Sequence, residues 1–283
     1  MSRNTMFDRS SDYRGGESMS KKLERHEVFE TSGPGHARVT TASGDVTIGA
    51  SESNVIEVTL SVKDPAYQRM LDEAVIDFDR SKNTLVVRTR THDNFNSMRG
   101  FTAAIRRGTW FGSDPDVHIA LPEGSSVEVT TASGDTEIIG GLAKASVTSA
   151  SGNVTIADEV GVLEMKTASG DVTTATVRES LTCHSASGNV RCDGAGTSTK
   201  IRTASGNIHL SVDVPSEISV RTVSGNLAVS VARGLEVDVD ATSVSGQLTS
   251  TMPLDGTAGG SSKDAVSISA KTVSGDVKVS SAS

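Results

Sequence analysis

Residues 147–156 read VTSASGNVTI, and the phrase returns at 165–174 as MKTASGDVTT, at 183–192 as CHSASGNVRC and at 201–210 as IRTASGNIHL. At its centre is a Ser-Gly pair followed by Asp, Asn or Gln. The serines of this pair are Ser43, Ser133, Ser151, Ser169, Ser187, Ser205, Ser224, Ser245 and Ser274. From Ser133 onward the steps are 18, 18, 18, 18, 19, 21 and 29 residues, whereas Ser43 to Ser133 is 90. A fixed period of this length marks a repeat architecture.

Aligning on the serine exposes columns. Four residues before it stand Val129, Val147, Met165, Cys183, Ile201, Val220, Ala241 and Ala270; three residues after it stand Thr136, Val154, Val172, Val190, Ile208, Leu227, Leu248 and Val277. Polar columns alternate with these apolar ones, the period-two signature of half-buried strands. The reading is an all-β fold: a single-stranded β-solenoid (β-helix) of about 18-residue rungs, stacked edge to edge. Each rung turns at its Ser-Gly corner, through Gly44, Gly134, Gly152, Gly170, Gly188, Gly206, Gly225, Gly246 or Gly275. Glycine reaches backbone angles there that other residues reach at a cost, and the Asp or Asn that follows suits a turn. The segment Glu159–Leu163 suggests a third short strand per rung. One rung cannot bury its own apolar face, so stability is a neighbour-to-neighbour property.

Outside the regular array, residues 1–26 are charged and Ser- and Gly-rich, and are expected to form a disordered tail. Residues 27–283 are expected to be the solenoid, with irregular rungs over 27–126, an insertion loop at 92–114 and the regular stack over 127–283. Val28–Ile48 reads as the first rung, Val55–Val62 as a strand, and Asp64-Pro65 as the start of a short helix reaching Ala74. Ile76–Asp79 and Leu85–Arg90 read as strands about a turn at Ser81–Asn83, and Val117–Leu121 as another. Leu254–Lys263 reads as a surface loop.

Composition narrows the function classes. Aromatic residues make up only 3% of the chain, which favours a thin core of aliphatic side chains. The net charge of -8 argues against nucleic acid as a partner. No apolar run is long enough to span a membrane and no apolar signal-peptide core is present, so the expectation is a cytoplasmic protein without an integral membrane segment. Cys183 and Cys192 are too few for a disulfide framework, and both fall in apolar columns, where small hydrophobes suffice.

The TASGDVTI corner at 41–48, the strand–turn–strand region after it and the LPEGSSVEV segment at 121–129 resemble the bacterial putative-adhesin domain of unknown function, also called Toastrack. The resemblance spans roughly Val28 to Ser283. It implies a β-solenoid, often attached to membrane segments or to envelope-stress and signalling modules, and it carries over no catalytic residue.

Two surface features are candidates for interaction. Lys166, His184, Arg202 and Arg221 share one outward column, three residues before the corner serine; Arg191, His209 and Lys278 share a second. A basic ladder can bind an acidic polymer, and it can equally be a charged cover over a sheet face. The segment Phe95–Phe111, with Arg106, Arg107 and Trp110, has the composition of a binding hot spot, or of a plug over the open solenoid end. The corner column of Asp and Asn lacks the oxygen density of calcium sites. No nucleophile elbow, phosphate loop or metal motif occurs, so no cofactor and no enzymatic activity are expected. The expectation is a non-enzymatic scaffold acting through repeated surface ladders, with a protein partner or self-association. The alternative is a ligand-sensing module for an acidic polymer, glycan or envelope component.

Overall fold

The chain describes ten coils stacked on one another in a computed structural model covering residues 23–89, 114–251 and 265–282. Residues 1–22 of the expected tail, most of the expected 92–114 insertion loop and the expected loop Leu254–Lys263 lie outside the described residues. Nine coils are those of the nine Ser-Gly corners; the tenth turns at Asp114-Pro115.

Strands entering the corners form one parallel run. They are β2 (His36–Thr40), β6 (Thr84–Arg88), β8 (Ser126–Thr131) and β10 (Leu142–Ser149), then the later halves of β11 (Val154–Ser169) and β12 (Val172–Ser187). The run continues in β14 (Ser198–Ser205), β16 (Glu217–Ser224), β18 (Glu236–Ser245) and β20 (Ala265–Ser274). Strands leaving the corners form the second run: β3 (Val46–Ser51), β7 (Asp116–Pro122), β9 (Thr136–Ile139) and the first residues of β11 and β12. It ends with β13 (Val190–Gly194), β15 (Ile208–Val212), β17 (Leu227–Val231), β19 (Leu248–Ser250) and β21 (Val277–Ser281). The expected inward columns are inside: Val129, Met165, Ile201 and Val220 are each at most 1% exposed. Glu159–Leu163 is not a separate strand. It lies within β11, which runs unbroken through register shifts at Ile156/Glu159 and Val160/Val162; a bulge bends the strand without ending it.

Two other expectations are corrected. Val28–Ile48 is not one rung: β1 (Leu23–Glu30), which begins inside the segment expected to be tail, pairs antiparallel with β4 (Val55–Val62). β4 in turn lies antiparallel on β7 and β5 (Val75–Asp79) antiparallel on β6, closing that end of the stack. Between them, Asp64 Oδ1 accepts the Ala66 N–H at 2.8 Å and opens a 3-10 turn (Pro65–Tyr67) that runs into a short helix (Gln68–Glu73). The second correction concerns order. β2 pairs with both β6 and β8, so the Ser43 coil sits between the Asp114 coil and the Ser133 coil. β20 pairs with both β16 and β18, so the Ser274 coil sits between the Ser224 and Ser245 coils. The chain's outermost coil at each end is therefore not its first or last. The inserted coil is the more apolar one: Val266, Ile268, Val277 and Val279 are buried, whereas β18 shows Glu236, Asp238 and Asp240 to solvent. Charges on an edge strand resist further pairing, which suits β18 to the end position.

The corners stack backbone on backbone. A Cβ on Gly188 would meet the carbonyl of Gly170, and one on Gly206 that of Gly188, each well inside 3.0 Å. The same holds from Gly44 to Gly275. Gly188 and Gly206 also hold φ of 131° and 127°, a region hostile to side chains. At the end coil, where no Ser-Gly corner exists, Asp114 substitutes: its buried carboxylate accepts the Ala42 N–H at 2.7 Å and the Thr89 hydroxyl at 3.1 Å.

The residue after each glycine forms a rail. Asn153 N–H donates to Asp135 Oδ1 at 2.8 Å, Asp171 N–H to Asn153 Oδ1 at 3.0 Å, and Asn189 N–H to Asp171 Oδ1 at 2.7 Å. Asn207, Asn226, Asp276 and Gln247 follow in turn, so the rail runs on to the final coil. Local turn chemistry, expected from the sequence, thus has its partner one coil away.

Gly188→Ala is expected to lower unfolding free energy by about 2–5 kcal/mol in urea titrations, through overpacking and backbone strain. Gly49→Ala, with open space at its Cβ position, is expected to stay within about 0.5 kcal/mol. Asn189→Ala removes the acceptor for the Asn207 N–H and is expected to cost about 1 kcal/mol, whereas Asn189→Asp keeps the acceptor and is expected to cost less.

Candidate functional site

On the outward face of the corner-entering strands, alternation places one side chain per coil three residues before each corner serine. Lys166 lies opposite His184, His184 opposite Arg202, and Arg202 opposite Arg221. The sequence puts Thr242 next in this column. The inverted coil order instead brings Lys271 beside Arg221 and leaves Thr242 beyond it. The basic ladder is therefore Lys166, His184, Arg202, Arg221 and Lys271 on five consecutive coils, all exposed. Lys200, also exposed, adds a cation two residues before Arg202. Neighbouring parallel strands lie about 4.8 Å apart, so the ladder spans roughly 19 Å.

Elsewhere on these faces, cations reach carboxylates on adjoining coils. Lys144 pairs with Glu164 at 2.7 Å, Arg38 with Glu128 at 2.9 Å and Arg178 with Glu159 at 3.0 Å. Among the described residues, none of Lys166, Lys200, Arg202, Arg221 and Lys271 has an ion pair. Like charges directly opposite on neighbouring strands disfavour the sheet. Arg191, His209 and Lys278 do share the second outward column, but it is no continuous basic run: Ala228 separates His209 from Lys278, and Arg191 is held by Asp193 at 2.9 Å.

Beside the ladder, from the Ser169 coil onward, the residue just before the corner serine also points outward. It is Ala168, Ala186 and Ala204, then Val223, Val273 and Val244 in stacking order. Val223 is 54% exposed, Val273 50% and Val244 79%. Sequence columns contained these valines, but nothing in the sequence marked them as neighbours.

The candidate corner glycines all occupy the stacked corners. Lys166, Arg202 and Arg221 are brought onto one face, and Arg106, Arg107 and Trp110 lie outside the described residues. Cys183 and Cys192 are free thiols inside the core. Burial pushes the Cys183 thiol up to about 12 and the Cys192 thiol upward as well. Among the described residues, no group of three or more His, Cys, Asp and Glu converges as a metal site would, and no helix is long and apolar enough to cross a membrane.

A family model described as Toastrack DUF4097 matches residues 35–280. The chain belongs to that family. A search of the curated proteins finds no match. Among solved structures, the chain is similar to a "putative adhesin" from Parabacteroides distasonis, with 10% identity and TM-score 0.45, covering 93% of this chain and 98% of that one. It is also similar to a "putative cell adhesion protein" from Clostridium sporogenes, with 9% identity and TM-score 0.28, covering 93% of this chain and 100% of that one. A third, a "putative adhesin" from Bacteroides fragilis, gives 10% identity and TM-score 0.35, covering 93% of this chain and 100% of that one. This Toastrack chain thus shares its family by sequence model, while its ladder is described from its own residues.

The two thiols set an alkaline limit. In the unfolded chain they ionise near 9.0; in the fold, burial keeps them protonated to higher pH. The raised folded value means that their stabilising contribution is complete below about pH 9 and is lost as pH rises toward 12. Urea midpoints are expected to fall across this window, and to fall less in a Cys183→Ala/Cys192→Ala variant.

Proposed function

We propose that this Toastrack chain is a non-enzymatic binding scaffold whose outward ladder recognises an extended acidic polymer. The observation that supports this reading is the unneutralised run Lys166–His184–Arg202–Arg221–Lys271. A sheet built for stability alone would alternate signs, as Lys144–Glu164 does one column away. Here Arg202, Arg221 and Lys271 face one another on consecutive coils, with Lys166 two coils before Arg202, in a chain whose net charge is -8. Such a strip concentrates positive potential locally and leaves its charges to be neutralised by something outside the chain. The ladder lies on strands that are locked at every corner, so the cations keep fixed spacing. A ligand then meets a preorganised surface.

Binding to dextran sulfate is the direct test, measured by calorimetry with uncharged dextran as control. Binding of the sulfated polymer alone is expected, and it is expected to collapse at about 1 M salt, where the screening length is about 3 Å. Replacing Lys166, Arg202, Arg221 and Lys271 together with Ala is expected to weaken it on the order of a hundredfold, taking about 0.5–1 kcal/mol per exposed charge contact. Unchanged affinity in that variant would remove the ladder from the function.

A further inference from the structure

We infer that the polymer is a linear acidic polysaccharide carrying a carboxylate on every ring, lying along the solenoid axis with one ring per coil. The inference rests on the scaffold reading above and names its ligand. Three parallel columns carry it. The first is the basic ladder, with a Lys, Arg or His on each of five consecutive coils from Lys166 to Lys271, of which Lys166, Arg202, Arg221 and Lys271 carry a permanent charge. A polymer matches it when its charge repeat equals the coil spacing. Linked pyranose rings advance by a distance of the same order as the coil spacing.

The second column is apolar and exposed on the corner side of the cations. Ala204, Val223 and Val273 stand beside Arg202, Arg221 and Lys271. A polymer that is polar all round would leave these valines in water. A sugar ring has a C–H face as well as polar edges, and covering the valines with that face removes apolar surface from solvent. Alanine and valine are short, so a ring resting on them still lets its carboxylate reach the longer Arg and Lys side chains.

The third column lies on the other side of the cations, two residues further from the corner. The column runs Glu164, Thr182, Lys200, Ser219 and Ser269, with Glu164 held by Lys144 and the three hydroxyl residues partly exposed. Hydroxyl side chains both donate and accept hydrogen bonds, as sugar hydroxyls require. On the Arg221 and Lys271 coils the order across the strip is therefore C–H contact, carboxylate contact and hydroxyl contact. An acidic pyranose presents the same three groups. A phosphate polymer presents only the second, and a lipid surface presents no row of hydroxyl partners at coil spacing.

The test titrates the full chain with oligogalacturonates of increasing length, with polygalacturonate, with hyaluronate (a carboxylate on alternate rings), with inorganic polyphosphate and with phosphatidylserine vesicles. The expected result is affinity that rises with oligogalacturonate length to a plateau at about five rings, one for each coil of the ladder. Hyaluronate is expected to bind more weakly than polygalacturonate. Val223→Ser/Val273→Ser, at surface positions that leave the core intact, is expected to weaken polygalacturonate roughly fivefold and leave polyphosphate unchanged. Equal affinity for polyphosphate and polygalacturonate, both indifferent to the valine substitutions, would overturn the glycan inference while leaving the polyanion scaffold standing. Binding of vesicles alone would overturn it in favour of a membrane. Failure of every polyanion would overturn both readings.

Discussion

The fold depends on how closely one corner can lie on the next. Each corner glycine rests on a backbone carbonyl of the adjoining coil, that of Pro115 for Gly44 and of a corner glycine for the others, at a separation that excludes a Cβ. The residue after it hands its backbone N–H to the side-chain oxygen of the previous coil, in a rail from Asp116 to Gln247. Together these contacts fix the offset between coils at one edge. With the offset fixed, every column of side chains along the strands falls into register, inside and out. The dry columns of Val, Ile, Leu and Cys then pack on one another in a continuous core, and the outer columns become ladders because the corners permit no slip.

Much of this was legible in the sequence, because the same tetrad recurs with the same flanking alternation. The inward positions of Met165, Ile201 and Val220 followed from counting by two around each Ser-Gly pair. The partner of the Asp and Asn column did not. A short polar side chain after glycine has a local turn role available, and only stacking reveals that its acceptor serves the next coil. The coil order was hidden for a related reason. Ser245 and Ser274 have corners of the same type, so either fits against Ser224 by pattern. The difference lies in Glu236, Asp238 and Asp240, which favour the open edge, and in Val266 and Ile268, which favour the interior. Lys271 consequently moved from a scattered column member to the fifth step of a continuous ladder. Lys200 lay five residues before its corner serine, in a column otherwise of mixed character, and Arg106, Arg107 and Trp110 lie outside the described residues.

The outer surface separates two uses of charge. Lys144, Arg38 and Arg178 have carboxylate partners on adjoining coils, contacts that contribute little individually in water. The five-step ladder has none among the described residues. Its charges face one another across strands that the corners hold at constant spacing, so they cannot relax by moving apart. Repulsion of this kind is tolerable because burial beneath the strip is continuous: Met165, Cys183, Ile201, Val220 and Ala270 lie directly under the ladder, each at most 1% exposed.

The inverted coil order shapes how the molecule is completed during synthesis. Glu236–Ser250 leaves the ribosome before Ala265–Ser281, yet the later segment occupies the berth next to β16 and β17. The growing end must therefore stay vacant, or be vacated, until the last stretch of polypeptide arrives. Completion is an act of wedging, with the final coil sliding between two that already exist. A nascent protein halted after Ser250 would offer an unfilled edge to its surroundings. Only the segment Ala265–Ser281 closes that gap, so the array is complete only once a later stretch of chain has been threaded back into it.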